Sequence, residues 1–194
     1  MNYPRLHNSG KGDHFYSLKE TAQAVEISIH PPSQFICANL ERILPDWNFS
    51  DLWVVVVLQQ SQYELVEIAP HVEREKERLR EKFMRFGCEV AFNLRDRGFL
   101  ADLIDPRTGY PLLSHPGEIP HDDTAVVKAL LGFPVIHNTC RLLRHPIWGT
   151  AVYPSVFMSS APPAILKSVL KSVAIVHGWK QPKIDLQLSN RHLS

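Results

Sequence analysis

One stretch of the sequence gathers a thiol, two guanidinium groups, an imidazole and an indole: Cys140-Arg141-Leu142-Leu143-Arg144-His145-Pro146-Ile147-Trp148-Gly149-Thr150. Its sharpest chemical reading is a reactive thiolate, because neighbouring positive charge lowers a thiol pKa. A Cys140–His145 dyad is the obvious form. Strand geometry argues against it. Side chains alternate along a strand, so Cys140, Leu142 and Arg144 share one face, and Arg141, Leu143 and His145 the other. Cys140 and Arg144 then stand about 13 Å apart, at about 3.3 Å per residue. Pro146 also favours an extended His145. A working thiolate here needs a tertiary partner or an external metal. Without one, Cys140 is a small buried hydrophobe. Trp148-Gly149 reads as a turn, with Gly149 supplying the backbone angle and Trp148 covering a sheet edge. Arg144 can anchor that turn as readily as meet a partner.

Other chemistry is sparse. No G-x-G-x-x-G or G-x-x-x-x-G-K-[ST] loop cradles phosphate, and neither H-E-x-x-H nor G-x-S-x-G is present. His115, His121 and His137 flank a proline-rich stretch with Asp122 and Asp123. Their spacing matches no helix or strand face, so they read as solvent-facing loop residues rather than metal ligands. Cys37 follows a core Ile36 on an amphipathic helix, and Cys88 lies between core Phe86 and Val90. Both read as packing or incidental thiols. Three widely spaced cysteines suit a reducing compartment better than a disulfide framework.

Several elements must position these residues. Val25, Ile27 and Ile29 alternate with Glu26, Ser28 and His30, a half-buried strand over Ala24–His30. Ser33 caps a helix carrying Phe35, Ile36, Leu40, Ile43 and Leu44, which Pro45-Asp46 stops. Leu52–Leu58 is apolar on both faces, a central strand, and Tyr63–Ala69 alternates as its hairpin partner. Val72, Leu79, Phe83, Phe86, Val90 and Leu94 mark one face of a long helix from Val72 to about Arg97, with Gly98 after it. Its sign-alternating charges, Glu73 to Arg85, read as the solvated face.

Phe99–Ile104 is a strand, Asp105–Gly109 a turn and Tyr110–Pro120 a long loop. Asp122 or Asp123 caps a short helix closed by Gly132. Strands follow over Thr139–His145 and Thr150–Ser159, the second holding Pro154, which implies a bulge or an edge. Pro163 starts a final helix that ends at Gly178. The expected organisation is a mobile arm over 1–18, a single α+β domain over 19–179 with a mixed or antiparallel sheet, and a tail over 180–194 with a short strand near Ile184.

The chain has 194 residues and is 44% hydrophobic, enough to bury a core. Lys+Arg is 21 and Asp+Glu 20, a balance without the footprint of a nucleic-acid or anionic-lipid binder. The longest strictly apolar run, Leu52–Leu58, is too short for a span of about 20 residues. The first 20 residues carry no apolar run of a secretory signal. A cytoplasmic protein is expected.

Three motifs in order carry a resemblance: Ala101-Asp-Leu-Ile-Asp-Pro-Arg-Thr-Gly109, Leu131-Gly-Phe133, and Cys140–Thr150. Together with Glu73–Phe83 and the W-V-V-V-V run at Trp53–Val57, they resemble the methylmalonic aciduria and homocystinuria type D (CblD) family of cobalamin-trafficking chaperones. The likeness covers about residues 24–170. It implies a nitroreductase-like (flavin-reductase-like) α+β fold whose cofactor site is lost, with no cofactor bound alone. It implies an adaptor for a CblC-like (MMACHC-like) cobalamin-processing protein, routing cobalamin to methionine synthase in the cytosol or to methylmalonyl-CoA mutase, with a mitochondrial pool allowed.

The family is associated with a thiolate that coordinates cobalt while cobalamin sits on that partner. The matching residue is Cys140, although Thr139-Cys140 stands where the animal pattern has adjacent cysteines. Arg141, Arg144, His145, Trp148, Gly149 and Thr150 are then candidates to shape the site or meet the partner. The competing class is a flavin- or thiol-dependent reductase on the same fold.

Overall fold

The computed structural model describes residues 23–47, 51–137, 141–179 and 183–187. The expected arm over 1–18 lies outside these residues. The elements are β1 (Val25–His30), α1 (Gln34–Ile43), β2 (Trp53–Gln60), α2 (Pro70–Arg95), β3 (Ala101–Leu103), α3 (Asp123–Leu131), β4 (Val135–His137), β5 (Arg141–Leu143), β6 (Val152–Ser159), α4 (Pro163–Val176) and β7 (Lys183–Leu186). This is an α+β domain with a mixed sheet. Five strands lie in the order β3-β6-β2-β1-β7, and β4-β5 form a separate ribbon. β1 runs parallel to β7, and the other pairs in the large sheet are antiparallel. Within the stretch read as a tail, β7 is the short strand expected near Ile184.

The apolar run of β2 explains the layering. Val55 and Val57 join Ile27, Ile29 and Phe157 on one face, under Phe83, Phe86 and Val90 of α2 and Leu166, Val169 and Leu170 of α4. Val54, Val56 and Leu58 join Val156 and Met158 on the other, under Ile36 and Ile43 of α1 and Val126 and Val127 of α3. A strand buried on both sides can be apolar at every position. Local signals fix the helix ends. The Ser33 side chain accepts from Ile36 N, and Asp122 accepts from Ala125 N at 2.9 Å. Gly132 closes α3 at φ +71°, where a side chain would be strained.

Four expectations change. Tyr63–Ala69 is a turn and loop, not a strand. β2 already has β1 on one edge and β6 on the other, so no edge is left for it. The Val135–His137 strand carries no alternation long enough to read from sequence and exists by pairing with Arg141–Leu143. Pro154 sits in an internal strand. The Val156 carbonyl accepts from Ile104 N on the β3 flank. Pro154, two residues away, faces that same flank beyond the end of β3, where no ladder donor is needed. Glu75, placed on the solvated face, is 4% exposed. Its carboxylate accepts from Gln62 N at 2.9 Å and Arg78 Nε at 2.7 Å.

Helix α2 touches the sheet closely at Gly87. A Cβ there would stand 2.8 Å from Leu103 Cδ1 and 3.2 Å from Leu103 Cβ. Overpacking of this kind costs about 1–3 kcal/mol, more than a helix gains by replacing glycine with a β-branched residue. Gly87→Val is expected to lose about 2 kcal/mol of stability in urea denaturation. No loss would mean that α2 can back away from β3. No described helix is long and apolar enough to cross a membrane.

Candidate functional site

The segment singled out for chemistry falls on the β4-β5 ribbon and the turn after it. His137 pairs with Arg141. Cys140, with residues 138 and 139, lies outside the described residues. Leu142 is buried against Leu65 and Val72. Leu143 is buried in the core under α1 and α3. The two faces of β5 are therefore both covered, which holds the ribbon to the body of the domain. Arg141 projects to solvent and pairs through Nη1 with Asp122, the α3 cap. Arg144 is exposed, and its N–H donates to the Pro134 carbonyl at 2.9 Å.

His145–Thr150 is a rigid, closed turn. His145 N donates to the Gly149 carbonyl at 2.7 Å and Gly149 N to the His145 carbonyl at 3.0 Å. Gly149 takes φ +59°, which glycine adopts without strain. The His145 side chain is 2% exposed. It stacks on Trp148 at 4.1 Å and meets the Phe133 edge at 5.3 Å. Its Nδ1 accepts from Ile147 N at 3.2 Å and Trp148 N at 3.1 Å. An accepting Nδ1 places the proton on Nε2, which donates to Glu26 Oε2 at 3.3 Å. His145 is thus a structural residue of the turn, and both of its nitrogens are used. The Thr150 carbonyl accepts from Leu65 N at 3.2 Å, tying the turn's end to the loop before α2. His145, Trp148, Gly149 and Thr150 stand together; Arg141 and Arg144 are the exposed charges beside them.

Beside Arg141 opens a cleft of about 410 Å³, bounded by the Arg107–Gly109 turn, His121–Thr124 and Tyr153. The reading of the histidines as solvent-facing fails at one of them. His121 is 5% exposed, and its Nδ1 lies 3.0 Å from Asp123 Oδ1. Loop 110–121 folds back so that His121 N donates to the Gly109 carbonyl at 2.7 Å. His115 and His137 are exposed, and His115 pairs with Asp46 instead. Among the described residues, no three His, Cys, Asp or Glu side chains gather to hold a metal. Cys37 is exposed and Cys88 half-buried. Burial, with Asp102 nearby, pushes the Cys88 thiol up and keeps it protonated.

A protein-family profile described as "Methylmalonic aciduria and homocystinuria type D protein" matches residues 4–170. The chain belongs to the methylmalonic aciduria and homocystinuria type D protein family. Among curated proteins it is similar to "Cobalamin trafficking protein CblD" of Rattus norvegicus, 30% identical over 129 residues, which is 66% of this chain and 44% of the relative. The protein of the same name from Homo sapiens is 29% identical over 140 residues, 71% of this chain and 47% of the relative. The chain therefore spans about half the length of the curated relatives it matches.

In this member of the type D family, the A-D-L-I-D-P-R-T-G motif builds the cleft's wall. Asp105 N donates to the Tyr110 carbonyl, and the Asp105 carbonyl accepts from Thr108 N and from Gly109 N, at 3.1 and 2.8 Å. Arg80 of α2 clamps the Asp105 carboxylate through Nε and Nη2 at 2.7 and 2.8 Å. This fork holds the Asp105 carboxyl below the usual carboxylate range and raises Arg80 in turn. Sequence inspection missed the clamp because Arg80 looks like one more charge on a solvated helix face.

Arg80→Met leaves Asp105 charged without its partner. The expected loss is about 2–4 kcal/mol, since breaking a largely buried pair exposes the remaining charge to a desolvation cost. Because the folded carboxyl titrates low, wild-type stability from this pair is present above the ordinary carboxylate pKa and fades as pH falls through the lowered one. The gap between wild type and Arg80→Met should therefore narrow on acidification; a constant gap would contradict the clamp.

Proposed function

We propose that this chain is a cobalamin-trafficking adaptor that docks on a CblC-like protein and presents the Cys140 thiolate to the cobalt of the cobalamin held there. The observation that carries this reading is the family match over residues 4–170, which spans the Cys140–Thr150 segment. The curated relatives carry the name of cobalamin trafficking proteins. The physics agrees. A soft thiolate suits a cobalt centre. Cobalt itself stabilises the thiolate, so no local base is needed. That removes the difficulty of the Cys140–His145 dyad, and His145 is in any case committed to its turn.

In this reading the rigid His145–Thr150 turn fixes the ribbon's base while Arg141 and Arg144 remain exposed to the partner. The protein acts without catalysing a reaction, on a nitroreductase-like fold that holds no flavin, and serves cobalamin destined for methionine synthase in the cytosol or for methylmalonyl-CoA mutase.

Size-exclusion chromatography of the chain with a CblC-like protein, loaded and unloaded with cobalamin, tests the adaptor role. A complex that forms with the loaded partner supports it. A chain that purifies with flavin absorbance, or that turns over cobalamin without a partner, overturns it in favour of a reductase.

A further inference from the structure

The cleft beside α3 contains a polar pair that the adaptor role leaves unused. The His121 side chain is 1% exposed and the Asp123 side chain 9%. Nδ1 of the first and Oδ1 of the second lie 3.0 Å apart, yet His121 Nε2 and Asp123 Oδ2 are buried with no hydrogen-bond partner. Buried polar atoms nearly always have partners, and an unsatisfied one costs about 1–3 kcal/mol. Both residues line the cleft, as do Lys76, Arg107, Arg141 and Tyr153.

With a neutral imidazole, the 3.0 Å contact can be a hydrogen bond in two arrangements. With Asp123 ionised, a neutral imidazole donates from Nδ1, and both orphaned atoms are acceptors. With Asp123 protonated, which its burial favours, the acid donates to Nδ1, so Nε2–H becomes a donor and Oδ2 stays an acceptor. An anion meets a lone-pair oxygen in either arrangement. A cation meets walls in which Lys76, Arg107 and Arg141 outnumber Asp122 and Asp123. A primary carboxamide fits both arrangements. It is uncharged, its two N–H groups donate to acceptors, and its carbonyl accepts from Nε2–H.

We propose that this cleft binds the primary carboxamide of a small neutral ligand, held by His121 and Asp123. One element rests on the trafficking role: cobalamin, whose corrin rim bears primary carboxamides, is then the carrier of the group.

The site is tested on the whole chain without cobalamin. Propionamide, propionate and propylammonium are titrated separately at constant ionic strength, following the His121 imidazole nitrogens by NMR, assigned by their loss in His121→Gln. Propionamide is expected to shift the Nε2 resonance saturably, and propionate and propylammonium to leave it in place. Asp123→Asn is expected to weaken propionamide about tenfold. No saturable shift, an equal shift by all three probes, or a long-lived water at His121 that propionamide fails to displace would each overturn the site. The wild-type titration decides this even if the variants do not fold. Failure of a cobalamin-loaded CblC-like partner to displace bound propionamide, once the complex is seen to form, would overturn cobalamin as the carrier, separately from any result on Cys140.

Discussion

Asp102→Ala is expected to be among the most damaging single changes in this fold, with a loss of about 3–5 kcal/mol, the range for stranding buried polar groups. Asp102 sits on β3 at 0% exposure. Its carboxylate accepts from Leu103 N at 2.7 Å, Leu112 N at 3.1 Å and Leu113 N at 3.0 Å, and Arg95 Nη2 lies 3.7 Å away. Alanine leaves Leu103 N and Leu113 N without an acceptor, Leu112 N with only the Leu103 carbonyl at 3.1 Å, and Arg95 without its counter-charge. The damage should spread along the chain, because Leu112 and Leu113 begin the loop that returns His121 to Gly109. Hydrogen exchange should therefore show the Leu112 and Leu113 amides deprotected, with His121 N following. A loss below about 1 kcal/mol, the size of one ordinary hydrogen bond, would show that Asp102 does not anchor the loop.

A second large effect is expected from acid. His30 is 1% exposed, facing the α1 layer opposite Val54, and its Nε2 contacts Ser28 Oγ at 2.7 Å. Burial brings its pKa down from 6.5 to about 4. The unfolded chain thus binds the proton more tightly than the folded one. Stability attributable to a neutral His30 is complete above pH 6.5 and is lost as pH falls toward about 4. At about 1.4 kcal/mol per unit, the loss is about 3 kcal/mol. His30→Gln, which cannot titrate, should flatten urea-denaturation stability against pH across that interval relative to wild type. An unchanged pH slope in His30→Gln would contradict the assignment.

His30 also shows where sequence reading stops. Alternation in β1 correctly set Ile27 and Ile29 against Ser28 and His30. Period-two patterning, however, says only that two faces differ. It cannot say that α1 covers the second face. The same limit hid the clamp between Arg80 and Asp105, since helix periodicity marks Arg80 as polar without revealing a turn 25 residues on that reaches it. Signals that act locally were legible: the Ser33 and Asp122 caps, Gly132, and the long apolar stripe of α2.

Pairing between distant segments was not. Tyr63–Ala69 has a strand's alternation but no free edge, whereas Val135–His137 has little alternation and a partner. The candidate site divides the same way. The His145–Gly149 turn was readable from Pro146 and Gly149. The buried His121–Asp123 pair depends on a long loop folding back, for which neighbouring residues carry no periodic mark. A signal was present in A-D-L-I-D-P-R-T-G: two aspartates bracketing apolar residues before a Pro-Gly turn suit backbone anchoring, and both serve as anchors.

The role assigned to Cys140 rests most directly on the absorption of cobalt. Cobalamin held by a CblC-like protein should change its cobalt absorption bands when this chain is added. Cys140→Ser should still form the complex and leave those bands where the partner alone sets them. A Cys140→Ser protein that produces the same spectral change as wild type would contradict thiolate coordination.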